Sequence, residues 1–421
     1  MNFWHIRLHF NILLINEKKE GSDLEGAKRI PGNISAVVPA YNSALYLKST
    51  VESLLQQTYP LFEIIIVDDR SEDATYSLCM ELEKSSGGRV RAYRLARNCG
   101  PSLARNIGME LAHGEWVLFM DHDDIAEPQL VELELQRLSE LEAGAPGDWV
   151  LVHSAYGQMG ENGERLAGVT RWRQVAPEEM LGYLLVRNPI LTASGVLLKK
   201  EAALRAGGFD PAWRYSQDWD LWLRLAQLGG FGYVDAPLIW IRRHSSNLSR
   251  KICNFKTDEK AILKRYEISF IEEAIHCRRL PWEVNRADFV SVLYRLDHWE
   301  EGFRAIKEVT VKRPGLPAGF FLSGLYYLRN NNWSKACFSF ERTLELAPEH
   351  GAAMNNLGAI LALRGDYEKA KNLFARAISL FPGYLDATHN LLRLEEKRTL
   401  HLGDVRFTWR ELRPVLLTYA E

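Results

Sequence analysis

The chain reads as an α/β doubly wound domain followed by an all-α array of repeats, and three observations predict this. Strand-like and helix-like segments alternate regularly through the first half. Three acidic clusters stand at the ends of apolar runs there: Asp68-Asp69 after Phe62 to Val67, Asp121-His122-Asp123-Asp124 after Trp116 to Met120, and Gln217-Asp218 ahead of the helix-like Trp219 to Leu228. Residues of the second half recur at a fixed period of 34.

Taken in order, Met1 to Ile15 is partly apolar but is interrupted by His5, Arg7 and His9, too short and too polar a stretch to span a bilayer. With the polar Asn16 to Arg29 it predicts an extension, residues 1–30, without fixed structure; an interfacial anchor is the sharper alternative. From 31 to 250 the α/β domain follows. Ile34 to Val38 predicts a strand and Ala44 to Gln57 a helix, then Phe62 to Val67 and Ala74 to Lys84 repeat the pair. Val90 to Leu95, the helical Ser102 to Ala112, Trp116 to Met120 and a helix opening near Pro128 continue the alternation. After Val150 the pattern is mixed, with a turn at Glu161 to Glu164, an apolar segment Ala193 to Leu198 and a loop at Gly207 to Asp210. A run such as Ile64-Ile65-Ile66-Val67 suits a parallel strand buried on both faces, and open α/β sheets hold ligands beyond their strands' carboxyl ends. The acidic clusters are therefore expected to share one crevice. Gathered carboxylates repel one another, so a divalent cation or a cationic ligand is the natural compensation.

A chain of 421 residues, 47% hydrophobic, is long enough for two or more cores. Its 52 basic and 54 acidic residues give a net charge of −2, which argues against a general nucleic-acid binder. Cys79, Cys99, Cys253, Cys277 and Cys337 are odd in number and widely spaced, suggesting neither a disulfide framework nor a zinc site. A reducing, cytoplasmic setting is the simple expectation. Arg242, Arg243, His244, Arg250, Lys251, Lys256 and Lys260 form a basic stretch, expected to be a solvated connection and, in a sharper reading, a contact to diphosphate or to the inner face of an anionic membrane.

Residues 251–281 predict a helical connection and 282–397 the repeats. Pro314, Pro348 and Pro382 share the 34-residue period, as do Trp299, Trp333 and Tyr367; Gly324 pairs with Gly358, Ala336 with Ala370 and Phe340 with Phe374. Small residues let paired helices approach, aromatics fill the space between repeats, and proline ends each second helix. The pattern resembles the tetratricopeptide repeat, clearly for Pro317 to Pro348 and Gly351 to Pro382. It is degenerate for Glu283 to Pro314, where Gly302 and Ile306 replace Ala and Phe. Asp386 to Lys397 reads as a capping helix, and the tail 398–421 carries no pattern. Such arrays commonly bind proteins, so a protein partner or self-association is expected.

The motifs of the first half now stand in order: Val37-Val38-Pro39-Ala40-Tyr41-Asn42, Val67-Asp68-Asp69-Arg70-Ser71-Glu72-Asp73, Asn98-Cys99-Gly100-Pro101, Ala104-Arg105-Asn106, Gly114-Glu115-Trp116, Asp121-His122-Asp123-Asp124 and Gln217-Asp218-Trp219-Asp220. Over roughly 33 to 250 the set resembles family 2 glycosyltransferases of the GT-A fold, a Rossmann-like fold of nucleotide-diphospho-sugar transferases. The resemblance implies a nucleotide-sugar donor, usually of uridine diphosphate, held by Pro39, Tyr41, Asn42, Asp69, Arg105 and Asp121. Tyr41 would stack on the base and Asp69 accept from the ring N–H. Asp121 and Asp123 match the Asp-x-Asp motif that binds Mn²⁺ or Mg²⁺, with Asp123 the ligand. Asp218 matches the catalytic acid position and would act as base in an inverting transfer to a hydroxyl of a glycan, a lipid-linked glycan or a protein.

Blander roles are expected for the neighbours: Asp68 and Asp73 as turn or cap residues, His122 as a spacer, Asp124 as a loop or cap residue, and Asp220, Trp222 and Arg224 as packing and surface charge. Gln217 stands where a Glu is common. Arg70 replaces the usual Gly, so the turn after Asp69 is expected to run without positive φ. The Gln-x-x-Arg-Trp signature of processive synthases is absent, which favours adding one or a few sugars. Acceptor recognition would fall between Val150 and Tyr215, where Trp172, Trp213 and Tyr215 could stack on a sugar or pack in the core. No dinucleotide, phosphate-loop, zincin or nucleophile-elbow motif occurs. The rival reading is a catalytically idle domain serving with its repeats as an adaptor.

Overall fold

The computed structural model describes residues 33–144, 147–244, 255–396 and 399–412. The expected extension 1–30 lies outside them, as do Arg250 and Lys251 of the basic stretch. The chain divides into two compact units, Met1–Ile262 and Leu263–Glu421, and the division falls inside the stretch 251–281.

In the first unit, β1 (Ile34–Ala40), α1 (Leu47–Leu55), β2 (Glu63–Asp68), α2 (Thr75–Ser85), β3 (Val90–Arg94), α3 (Pro101–Leu111) and β4 (Trp116–Phe119) alternate along the chain. Then come β5 (Ile125–Ala126), α4 (Leu130–Gly144), β6 (Trp149–Met159), β7 (Arg165–Thr170), α5 (Pro177–Val186), β8 (Val196–Lys199), α6 (Lys200–Arg205), α7 (Gln217–Leu225) and β9 (Gly230–Arg242). Among the described residues one nine-stranded sheet forms, in the order β3-β2-β1-β4-β8-β6-β9-β5 with β7 paired to β6. The pairs β1–β2, β2–β3 and β1–β4 are parallel, whereas β8 runs antiparallel to β4 and to β6, so the sheet is mixed. Every residue of β1, β2 and β4 is buried, as their unbroken apolar runs require. Gly108 seats α3 on this sheet: a Cβ there would lie 2.3 Å from Val37 Cγ1.

The first unit closes with α8 (Phe255–Leu263), whose last residue opens the second unit, where α9 (Ile268–His276) leads into helical pairs. These are α10 (Trp282–Arg295) with α11 (Trp299–Lys312), α12 (Pro317–Arg329) with α13 (Trp333–Leu346), and α14 (Gly351–Leu363) with α15 (Tyr367–Leu380), then α16 (Leu385–Glu396). The period has a direct physical cause. A Cβ on Gly324 would lie 2.6 Å from the Phe340 ring and one on Gly358 2.8 Å from the Phe374 ring, so each glycine makes room for the aromatic of its partner helix. Phe340 and Phe374 are fully buried. The tail departs from its patternless reading: Val405 and Thr408 are buried, and Phe407 and Leu412 pack against the repeat core.

No helix among the described residues is long and apolar enough to cross a membrane.

Candidate active site

The carboxyl ends of β1 and β2 open the site. Asp69 is buried, and its two oxygens accept the amide N–H groups of Cys99 and Gly100, each at 2.7 Å. Burial raises its carboxyl above the ordinary range, partly opposed by those two bonds, and the charge of Asp68 raises it further. Gly100 has φ 86°, a backbone open to glycine, and passes the chain into α3 with Pro101 at its first position. Asp68 accepts from the Ser71 N–H at 3.1 Å and pairs with Arg94 Nε at 3.1 Å, a turn role as expected. The turn itself corrects the expectation, because Arg70 has φ 63°. The facing loop is similarly wound, with Asn42 at φ 49°, and the two are laced together by Asn42 N–H to Ser71 Oγ and Glu72 N–H to Asn42 Oδ1, both 2.9 Å. These bonds hold both non-glycine residues in a left-handed conformation that costs roughly 1–2 kcal/mol each. Tyr41 beside them is 41% exposed, so its ring is open to a ligand.

Beyond β4 the second cluster separates into distinct roles. Asp121 is the more open carboxylate, and its Oδ1 takes a 2.5 Å ion pair from Arg105 Nη2. Arg105 is buried on α3 over the Phe209 ring, and its Nε and Nη1 have no hydrogen-bond partner. Asp123 receives His244 Nε2 on Oδ2 at 2.8 Å. Burial alone would raise the Asp123 carboxyl, but that hydrogen bond and the charges of His122 and His244 hold it below the ordinary range. His122 turns Nδ1 to the Pro39 carbonyl at 3.3 Å. Asp124, expected as a loop or cap residue, lies in the loop and is a buried tie: it accepts Ser194 Oγ at 2.5 Å and the Arg242 N–H at 3.0 Å. Burial and the charges of Asp123 and Asp121 push its carboxyl well up. Ser194 also accepts the Asp121 N–H, and Thr50 Oγ1 donates to the His122 and Asp124 carbonyls, so the backbone of the cluster is held from both sides.

Asp218 begins α7. Its Oδ1 accepts the Trp219 N–H at 2.7 Å, and the neighbouring Gln217 bonds Ser102 Oγ at the start of α3. Burial raises the Asp218 carboxyl to about 6, against the opposing pull of the Trp219 N–H and the Arg105 charge, with Asp121 adding to the rise. Asp220 is buried and paired to Arg224 at 2.6 Å, so this pair is internal rather than surface charge.

One chain of bonds thus connects Asp69, α3, Arg105 and Asp121, and both Arg105 and Asp121 act electrostatically on Asp218. Asp123 is joined to the cluster through the backbone and through β9. The basic stretch reads differently in structure: Arg242 is buried, donating from Nε to the Asp123 carbonyl at 2.9 Å and from Nη1 to the Glu161 carbonyl at 2.9 Å. It stands over the Tyr46 ring at 4.7 Å, and His244 lies against the same ring with centroids 5.0 Å apart. Ser194 and Thr50 were not singled out by sequence and His244 was read only as part of the basic stretch; the pairing of β9 with β5 and β6 brings it back to Asp123.

Among the described residues no group of three or more His, Cys, Asp or Glu side chains is gathered closely enough to hold a metal ion by itself, so the protein side of any cation site here is a partial one. At Asp123 a carboxylate held ionised meets an imidazole nitrogen, a set of hard oxygen and borderline nitrogen donors, with the more open Asp121 carboxylate in the same short loop. Trp172 and Trp213, by contrast, have buried Nε1 atoms, and Trp172 packs edge-on to Tyr183 at 5.8 Å.

Comparison with known proteins gives two family matches: Glycosyl transferase family 2 over residues 35–203 and Tetratricopeptide repeat over 351–384. An uncharacterized glycosyltransferase of Haemophilus influenzae is 30% identical over 246 residues, 57% of this chain and 79% of that protein. TuaG of Bacillus subtilis, named as a glycosyltransferase of teichuronic acid biosynthesis, is 30% identical over 201 residues, 48% of this chain and 74% of that protein. The structure of S. aureus TarS 1-349 in complex with UDP-GlcNAc aligns with 87% of this chain and 91% of that one at 17% identity and a TM-score of 0.46, too distant to bear on donor or acceptor.

Proposed function

The chain belongs to glycosyl transferase family 2 and is a glycosyltransferase, and on that premise we propose that it transfers a sugar from a uridine diphosphate donor to a glycan hydroxyl with inversion. The observation that carries this reading is the placing of the Asp218 carboxyl in the first turn of α7, within electrostatic reach of Arg105 and Asp121 and with its carboxyl raised to about 6 by burial. A base with that poise is ionised at neutral pH and still basic enough to take a proton in the transition state.

Asp218 accepts the acceptor's hydroxyl proton as the oxygen attacks the anomeric carbon, and the diphosphate departs from the opposite face. Arg105 supplies positive charge to that departure. Its Nε and Nη1 have no hydrogen-bond partner among the described residues, which suits them to an anionic oxygen of the donor. Tyr41 offers an open ring to the uracil, and the second lone pairs of the Asp69 oxygens accept its N–H. Asp123, with Asp121 in the same short loop, would contribute carboxylate oxygens to a Mn²⁺ or Mg²⁺ ion, which would supply charge neutralisation on the leaving diphosphate. The glycan acceptor draws support from the naming of TuaG.

The test is a panel of uridine diphosphate sugars offered to the full-length protein with and without Mn²⁺, with donor hydrolysis and transfer followed by NMR. A metal-stimulated product of inverted configuration is expected. Retained configuration, or equal rates in chelator, overturns the corresponding part of the reading.

A further inference from the structure

Asn356 on α14 and Asn390 on α16 occupy the same position of successive repeats, 34 residues apart. Each grips the backbone N–H and C=O of one tail residue with both ends of its amide. Asn390 Nδ2 donates to the Arg406 carbonyl at 2.8 Å while its Oδ1 accepts the Arg406 N–H at 2.7 Å. Asn356 Nδ2 donates to the Thr408 carbonyl at 2.8 Å while its Oδ1 accepts the Thr408 N–H at 2.7 Å. One repeat therefore advances the bound strand by two residues, about 6.6 Å of extended chain. Recognition of this kind reads backbone and is indifferent to most side chains, as in strand addition to a sheet edge.

One side chain is read as well. Thr408 Oγ1 donates to Asp386 Oδ2 at 2.7 Å, accepts from Asn355 Nδ2 at 3.1 Å and bonds the Tyr384 hydroxyl, so its hydroxyl is fully engaged and the residue is buried. The flanking rings lie on aromatics of earlier repeats: Phe407 against Trp333 with centroids 6.1 Å apart, Trp409 edge-on to Trp299 at 5.9 Å. Asn355, Asn356, Asn390 and Thr343 are 0% exposed, so the polar groups of this face are covered by the strand and by the helices around it.

We propose that this face is a peptide-binding site occupied in cis by the chain's own segment Asp404–Leu412, and that the partner it fits is an extended segment carrying Thr or Ser between two aromatic residues. The amide pairs need no particular sequence, the hydroxyl pocket needs a β-hydroxyl donor, and the tail is the tethered competitor that a partner must displace. The inference is independent of the donor chemistry.

The test uses the full chain with Thr408→Asp, which sets a carboxylate against Asp386 and leaves every residue of the face itself unchanged. The probe is a fluorescent nonapeptide with the sequence of Asp404–Leu412. The variant should keep its helical circular dichroism and cooperative melt, lose exchange protection at the Arg406 and Thr408 amides, and bind the probe. The wild type should bind it more than about tenfold more weakly, since a short tether gives the tail a high effective concentration. Asn390→Leu added to the variant should abolish binding. Equal binding by wild type and variant, or a folded variant that ignores the probe, overturns the proposal. So does a variant whose helical melt is lost and not restored by excess probe, because the tail is then part of the repeat core. A concentration-dependent dimer of the wild type that Thr408→Asp abolishes would assign the face to a second copy's tail instead.

Discussion

Acidifying the enzyme should switch off turnover through Asp218, and the size of the effect follows from its surroundings. The carboxyl is raised to about 6 because burial penalises its charged form. A base must be ionised to act, so activity is present above that pKa and lost as pH falls through it. With one titrating group the ionised fraction is about 0.9 at pH 7 and about 0.09 at pH 5, so kcat/KM should fall about tenfold across that interval. Asp218→Asn should lower turnover by at least about a hundredfold at every pH, keep donor binding, and remove the acid limb. The neighbours give the reasoning its sharpest check, since they must shift the limb in opposite directions. Asp121→Asn removes a negative charge that raises the group and should move the limb to lower pH; Arg105→Gln removes the opposing positive charge and should move it to higher pH. The measurement is kcat/KM against pH at saturating Mn²⁺, with carboxyl carbon NMR of the metal-free protein to read Asp218 directly. A limb that survives in Asp218→Asn, or one that both neighbours move the same way, refutes the assignment.

Three other substitutions probe the remaining parts. Asp123→Ala should abolish the Mn²⁺ dependence of uridine diphosphate binding in calorimetry without changing the fold, and His244→Ala should weaken Mn²⁺ as well; unchanged metal dependence in either would remove that residue from the site. Asp69→Ala should weaken uridine diphosphate more than inorganic diphosphate, and it should lower stability by about 1 kcal/mol because two partly buried N–H groups lose their acceptor; equal loss for both ligands would argue against base recognition. Glu134 on α4 is fully buried and neither oxygen has a hydrogen-bond partner, so Glu134→Leu should raise stability by about 1–3 kcal/mol in denaturant titration. Burial raises the Glu134 carboxyl well above its ordinary range, so the wild type loses stability as pH rises past the unfolded value near 4.5. The gain from Glu134→Leu should therefore be larger at pH 8 than at pH 4; a gain that does not grow with pH would mean Glu134 finds a partner when it ionises.

Much of this protein could be read from local sequence, because its strongest signals are periodic or contiguous. The unbroken apolar runs of β1, β2 and β4 can only be strands buried on both faces, and the acids that follow them must emerge at the strands' carboxyl ends. In α12–α13 and α14–α15 the 34-residue period reflects glycine facing phenylalanine within the helix pair, a contact between near neighbours in the chain that leaves its mark on composition. What sequence could not decide depends on contacts between distant residues. His244 lies 121 residues beyond Asp123 and meets it through the sheet alone. Arg242 belongs to a basic stretch that looks solvated, yet the return of β9 beside β6 buries it beneath the Asp121–Asp124 loop. Arg70 and Asn42 adopt left-handed backbones because their two loops are bonded to each other, a constraint that neither loop contains by itself. The tail has no periodicity since its hydrogen bonds are made by peptide groups, which every residue possesses; only the asparagines placed opposite it by the repeat geometry turn a featureless segment into a bound strand.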